Sequence, residues 1–271
     1  MSRPNPVPGE SRRPSSTPRY WDQYARKVNK ASFHERIAVH KRDVHLRLIR
    51  AWFPDLAGKT ILKTDSYEEA FGEDAFLDAL SSPAALAVGM DISAEIAGRA
   101  KKRFPGLAFA AADTLGLPFR SSVFDLVVSN STLDHLDQGD VPGAVKELSR
   151  IIKPGGTLIL TLDNRHNPLH VLSHWLRRLF GWFYTDRCYS IPEARGLLEG
   201  NGFRVTETTA IFHVPFPLNF LAKTAQRIFG PKSGRCVERL VRFFGRLERY
   251  PTRLLTGRHI ALKAGKIPEI R

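Results

Sequence analysis

Residues 108–164 read AFAAADTLGLPFRSSVFDLVVSNSTLDHLDQGDVPGAVKELSRIIKPGGTLILTLDN, and this stretch decides the fold. Two apolar runs stand out, FDLVVSN from Phe124 to Asn130 and TLILTLDN from Thr157 to Asn164. Each is short, rich in leucine or β-branched residues, and ends in a polar residue. A strand buried on both faces reads this way when its last residues emerge at a ligand crevice. Between the runs lies a helix with a legible start and stop. Asp140 suits its N-cap and Pro142 its first turn. Ala144, Val145, Leu148, Ile151 and Ile152 make the buried stripe, and Lys153-Pro154-Gly155-Gly156 ends it. Strand, helix, glycine turn, strand is a βαβ unit of a parallel sheet.

Upstream the same alternation recurs. LAGKTILKTD, Leu56 to Asp65, reads as a first strand, and Asp65 to Leu80 as one helix with Ala70, Phe71, Phe76, Leu77 and Leu80 inward. AALAVGMDIS, Ala84 to Ser93, is the second strand; Ser93 caps the helix AEIAGRAKKRF, and LAFAAAD is the third strand. Downstream, Ile191 to Gly200 reads as a helix, Phe203 to Ile211 as a sixth strand and His259 to Ala264 as a seventh. A helix is expected from Phe33 to Phe53, with His40 and His45 in a polar setting. The fold class is α/β: a doubly wound, mostly parallel seven-stranded sheet, expected as one domain over 20–271.

Composition sets outer bounds. The 271 residues suffice for one α/β domain with insertions, and 42% hydrophobic with 25% charged residues is ordinary for a globular chain. Cys188 and Cys236 give neither a disulfide framework nor a metal-ligand spacing, so the reading is a reducing, cytoplasmic setting with free thiols and no metal. No run of about eighteen apolar residues is present, and the N-terminus lacks an apolar signal core. Residues 1–19, rich in Pro, Ser and Arg, are expected to form a disordered arm.

The net charge is +14, and it is uneven. From His213 to Arg271 there are thirteen Lys and Arg against three acids. A basic surface implies an anionic partner or an anionic lipid face. Nucleic acid is disfavoured, because the basic residues interleave with an amphipathic pattern and no aromatic-plus-basic recognition motif is evident.

The succession FDLVVSNSTLDHL, helix, KPGGTLIL resembles the second half of a class I S-adenosylmethionine (SAM) dependent methyltransferase of the type 11 kind. The resemblance runs from about Thr60 to Ile211, with the last strand near Gly257 to Ala264. It implies a Rossmann-like methyltransferase fold, SAM as cofactor and a small-molecule acceptor. It also implies that apolar insertions at about 165–190 and 213–256 form a helical lid, whose composition suits an apolar or aromatic acceptor.

Candidate residues follow. Asp91 ends the second strand, where a carboxylate can accept both ribose hydroxyls of a nucleoside cofactor. The resemblance implies an adenine-facing role for Asp113 and Thr114, with Ile92, Leu115 and Leu117 lining the ring. It implies a role at the methionine part or the acceptor for Asn130, and cofactor cover by the aromatic N-terminal helix bearing Tyr20, Trp21 and Tyr24. The first motif departs from the family pattern. Lys63 stands where an acid is expected, and no glycine occurs before Gly72. Glycines there normally let backbone approach the ligand. Thr64, Asp65 and Ser66 are left to shape a different loop, with Asp65 available to the α-amino group. Methyl transfer from a sulfonium needs alignment more than acid–base help, but a protic acceptor needs a base. His135 and His166 follow the fourth and fifth strands and are the candidates.

Two alternatives stay open: the SAM fold running different chemistry, and a degenerate domain that binds a partner or membrane. The segment from Val237 to Arg249, with Arg239, Arg242, Arg246 and Arg249 opposite an apolar face, suits either a lid or peripheral contact with an anionic membrane.

Overall fold

The computed structural model describes residues 17–28, 33–179 and 187–268. Its frame is a seven-stranded sheet of β1 (Thr60–Lys63), β2 (Leu86–Asp91), β3 (Ala108–Ala111), β4 (Phe124–Asn130), β5 (Ile152–Asp163), β6 (Phe203–Ile211) and β7 (His259–Lys266). The order is β3-β2-β1-β4-β5-β7-β6. Strands β1 to β5 are parallel, while β7 runs antiparallel between β5 and β6. The order reverses between β1 and β4, which places a crevice at their carboxyl ends.

Helices cover both faces, as buried parallel strands require. On one face Leu62, Val127, Leu158 and Leu160 pack with α6 (Val141–Ile151) and α8 (Ile191–Glu199). On the other, Ile61, Leu126, Val128 and Ile159 meet α2 (Glu35–Trp52) and α4 (Leu77–Ser81). The remaining helices are α1 (Pro18–Lys27), α3 (Tyr67–Phe71), α5 (Ala94–Arg103), α7 (Pro168–Leu179), α9 (Phe216–Phe229), α10 (Gly234–Gly245) and α11 (Arg253–Thr256).

The two glycines near the start of β5 are required sterically. Gly155 has φ +76°, and a Cβ on Gly156 would sit 2.8 Å from Ile152 Cγ2 and 2.9 Å from the Lys153 carbonyl. Ser93 caps α5 as expected, accepting from the Ile96 amide at 3.1 Å. Asp140 occupies the N-cap of α6 but makes no capping bond with its side chain.

Three expectations are corrected. The single helix over Asp65 to Leu80 is two short helices, α3 and α4. Glu69 Oε1 accepts from the Phe76 and Leu77 amides, and Asp74 is drawn to Lys41, so the chain turns after Gly72. His45 is buried rather than solvated, its Nδ1 2.8 Å from the Lys41 carbonyl, and burial lowers its pKa to about 4. The face of α7 that carries Leu169, Leu172, Trp175 and Leu176 is exposed, and it is His170 and Ser173 that point inward. Most of the arm, residues 1–16, and Phe183 lie outside the described residues, while Thr17 already caps α1.

The C-terminal helices build a third small core. Leu218 and Ala222 of α9, with Val237 and Val241 of α10, bury against Ile37 of α2, Phe212 and Val214.

Candidate active site

The crevice is lined by Trp21, Thr64, Asp65, Tyr67, Met90, Asp91, Ile92, Ile96, Ala112, Thr114, Thr132, His135 and Leu136. Its floor is the carboxyl ends of β1 and β2. Its cover is α1, held down by Asp22, whose Oδ1 accepts from Ser93 Oγ and from the Glu95 amide at the start of α5. That anchor sets Trp21 over the opening, its ring centroid 5.0 Å from that of His135.

Asp91 sits where β2 ends. Its Oδ1 accepts from the Ser93 amide at 2.9 Å and its Oδ2 from the Ser66 amide at 3.2 Å. Burial outweighs these bonds and pushes its carboxyl up to about 6. Asp65 faces the same space. Burial first, and then the neighbouring Glu68 charge, raise its carboxyl well above the usual range.

Beneath the crevice lies a network that takes the place of a glycine loop. Lys63 is 0% exposed. Its Nζ donates to Glu68 Oε2 at 3.0 Å, to Glu69 Oε2 at 2.8 Å and to the Asp65 carbonyl. Lys41 reaches in from α2 to Glu68 Oε1 at 2.8 Å and Asp74 Oδ2 at 2.9 Å. Burial alone would raise the Glu68 carboxyl, but the two ammonium groups hold it well below the usual range. Both lysines stay charged, their pKa values raised because carboxylates outweigh desolvation. The loop 64–66 is then tied to its neighbours. Ser66 Oγ donates to the Met90 carbonyl at 3.1 Å, and Thr64 Oγ1 bonds Ser129 Oγ and Thr132 Oγ1. Gly89 makes room for this: a Cβ there would lie 2.9 Å from Ser66 Oγ and 2.5 Å from the Phe109 ring.

A family model described as "Methyltransferase domain" matches residues 68–160, from the first helix after β1 through β5. A probable S-adenosylmethionine-dependent methyltransferase of Mycolicibacterium smegmatis is 27% identical over 150 residues, 55% of each chain. The 2-phytyl-1,4-naphtoquinone methyltransferase of Nostoc punctiforme is 33% identical over 87 residues, 30% of this chain and 37% of that one. These matches support a class I SAM-dependent methyltransferase domain over the matched part of the chain, residues 68–160. It spans little more than half the length of the first curated relatives it matches. Among solved structures, the cyclase SpnF aligns over 93% of this chain and 96% of its own with a TM-score of 0.58 at 17% identity, which speaks to the fold alone.

The crevice brings together Thr64, Asp65, Asp91, Ile92, Thr114 and His135, all expected from the sequence. Other expectations are not met. His166 is exposed and does not line the crevice; the chain turns at Asn164, whose Oδ1 accepts from the His166 amide, and carries the ring away. Asn130 is buried in the floor, its Nδ2 bonded to Glu68 and its Oδ1 accepting from Thr161, because the charge network below needs polar partners. Ser66 orients Asp91 through its amide instead of lining the space. Asp113 Oδ1 accepts from the Leu115 amide at 2.9 Å, an Asx turn, while Leu115 and Leu117 face the core. Tyr24 packs on Tyr67 one layer out, at 6.1 Å between ring centroids, and Trp21 provides the cover. Tyr67, Met90, Ile96, Ala112, Thr132 and Leu136 line the crevice without having been expected there, whereas Trp21 was expected as part of the aromatic face of α1.

These residues fit SAM at the nucleoside end. A carboxylate stands at the end of β2 beside an apolar slot of Met90, Ile92, Ile96 and Ala112. The charge also fits, since two carboxyls raised by burial favour a cationic ligand. Thr64, Asp65 and Thr132 line the crevice at the carboxyl end of β1, where no glycine occurs before Gly72.

Proposed function

We propose that the chain transfers a methyl group from SAM to a small, rather apolar or aromatic acceptor. The observation that carries this reading is Asp91, buried at the end of β2 in a crevice covered by Trp21. When bound, SAM supplies an electrophilic methyl group on a sulfonium. The chain's part is to bind and align. Asp91 accepts the ribose hydroxyls, Met90, Ile92 and Ile96 sandwich the base, and Thr114 sits at its edge. Asp65 takes the α-amino group. Trp21 and Tyr67 exclude water, and His135 beneath Trp21 can hold the proton of a protic acceptor. The insertions at about 165–190 and 213–256 serve as the lid of a single domain over 20–271, which sets the apolar character of the acceptor. A naphthoquinone-type ring is the acceptor class suggested by the naphtoquinone methyltransferase relative.

The test is calorimetric titration with SAM and its demethylated product. Asp91→Ala should weaken both about 10- to 150-fold, since hydrogen bonds to a charged group contribute roughly 1.5–3 kcal/mol. Unchanged affinity in a folded Asp91→Ala protein removes the ribose role. If the nucleoside binds but no acceptor ever yields demethylated product, the fold is running other chemistry.

The pH dependence has a definite sign. The folded carboxyl of Asp91 titrates near 6, above its unfolded value near 3.9. The folded protein therefore holds a proton that the unfolded chain has lost, and this group's contribution to stability declines as pH rises from about 4 through 6. Ribose hydroxyls donate better to the ionised form, so SAM affinity should increase about tenfold from pH 5 to pH 7. A flat profile in calorimetry across that range contradicts the assignment.

A second reading, peripheral contact with an anionic membrane, is favoured by α9. Phe220 is 70% and Phe229 68% exposed, on a helix that also carries Lys223 and Arg227. Among the described residues no helix is long and apolar enough to cross a membrane.

A further inference from the structure

Beyond the end of β5 the chain gathers three side chains that the sequence left unconnected. Asp163 is the last residue of β5, His170 lies in the first turn of α7, and Cys188 precedes α8. Their candidate ligand atoms, a carboxylate oxygen, an imidazole nitrogen and the thiol sulfur, all lie within 4.8 Å of one another. His170 Nε2 stands 3.0 Å from Asp163 Oδ2. Asp163 and His170 are buried, and Cys188 is half-buried.

We propose that Asp163, His170 and Cys188 form a binding site for a divalent cation of the zinc class. One oxygen, one nitrogen and one sulfur donor is a borderline-soft set suited to Zn²⁺ rather than to Mg²⁺ or Ca²⁺, which take oxygen ligands. Metal–ligand bonds of 2.0–2.3 Å in a tetrahedron put ligand atoms roughly 3.3–3.8 Å apart. The Asp163–His170 pair already lies near that spacing, and rotation of the single-torsion Cys188 side chain closes the rest. The thiol binds as thiolate, its proton leaving to solvent. Three protein ligands leave a fourth position for water or an incoming ligand.

The backbone organises this set. The Tyr189 amide donates to the Asp163 carbonyl at 2.8 Å and the Arg187 amide to the Asp134 carbonyl at 3.1 Å, so both neighbours of Cys188 are fixed beside β5. Asn167 Oδ1 accepts from the His170 amide at 3.0 Å and fixes the start of α7. An outer layer supports Asp163. Its amide donates to Asp134 Oδ2 at 2.9 Å, and its Oδ1 faces His259 Nδ1 at 3.8 Å. Asp134 precedes His135 of the crevice, so a cation here would tie the α7 segment to the wall of the active site.

The test uses the full chain, stripped with chelator and titrated with Co²⁺ as a spectroscopic probe, then with Zn²⁺ in competition. One equivalent should bind with a thiolate-to-cobalt charge-transfer band. Cys188→Ser should abolish the band, Cys236→Ser should keep it, and His170→Gln should weaken Zn²⁺ binding at least about tenfold. A wild-type protein with no such band, or a band that survives Cys188→Ser, overturns the proposal, as does unchanged Zn²⁺ affinity in His170→Gln. If Cys188→Ser fails to fold, alkylation of the wild type decides. Zn²⁺ should slow modification of Cys188 and leave exposed Cys236 unaffected; equal rates with and without Zn²⁺ overturn it.

Discussion

Lys63→Met is expected to lower unfolding free energy by about 3–5 kcal/mol at neutral pH, the cost of leaving a buried carboxylate without its partner. Lys63 bonds Glu68 and Glu69, and Glu69 is itself fully buried. Methionine fills nearly the same length, so a cavity does not account for the loss. Asn130 and Lys41 still hold Glu68 in the variant, and Glu69 is the group left stranded. The pH dependence checks the cause. The raised ammonium pKa of Lys63 contributes stability that is fully present below about 10.4 and is lost only as pH rises beyond it. The depressed carboxyl of Glu68 contributes stability above about 4.3 that is lost as pH falls. The deficit of the variant should therefore be largest near neutrality and shrink as pH falls and the Glu68 contribution is lost. Adding Glu69→Gln should restore part of the stability, because removing both charges costs less than removing one. Urea denaturation measures all three proteins. A deficit under about 1 kcal/mol, or a double variant worse than the single one by the full cost of Glu69, contradicts the account.

The same network marks where the sequence stops being legible. The βαβ unit from Phe124 to Asp163 was readable because its signals are local: two apolar runs, a proline in the first turn, and two glycines whose missing side chains the turn requires. Asp91 was readable for the same reason, standing between a strand and a capped helix. The break between α3 and α4 was not. Ala70, Phe71, Phe76, Leu77 and Leu80 are spaced like one helix, and what divides them is Lys41, from another helix, pulling Asp74 while Glu69 turns to the Phe76 and Leu77 amides. Asn130 likewise has the local look of a crevice residue, but Glu68 and Thr161 claim its side chain from below. His166 lies in the turn after Asn164 and His170 in the first turn of α7; the turn leaves the first exposed, and the packing of α7 sets the second against Asp163.

The C-terminal helices give the second large effect, and they separate two roles that one amphipathic pattern suggests together. Val241 of α10 is 3% exposed and packs with Ile37, Phe212 and Val237, so the apolar face that could have met lipid is turned inward. Phe244 packs against the edge of that cluster. Val241→Asp should cost about 3–5 kcal/mol, because it sets an uncompensated charge in an apolar site. Phe220 and Phe229 of α9 point the other way and touch little that folding depends on. Phe220→Asp should leave the denaturation midpoint nearly unchanged, since surface substitutions usually stay within about 0.5 kcal/mol. If α9 rests on an anionic surface, wild-type protein should float with phosphatidylserine vesicles at low salt and be released as salt rises, each basic residue near the surface contributing about 1 kcal/mol. Phe220→Asp should then lose flotation while keeping fold and SAM affinity. Wild-type protein that does not float, or a Phe220→Asp variant that floats equally well, leaves α9 with no part in membrane contact. A Val241→Asp protein as stable as wild type would mean that α10 does not pack on α2 as described.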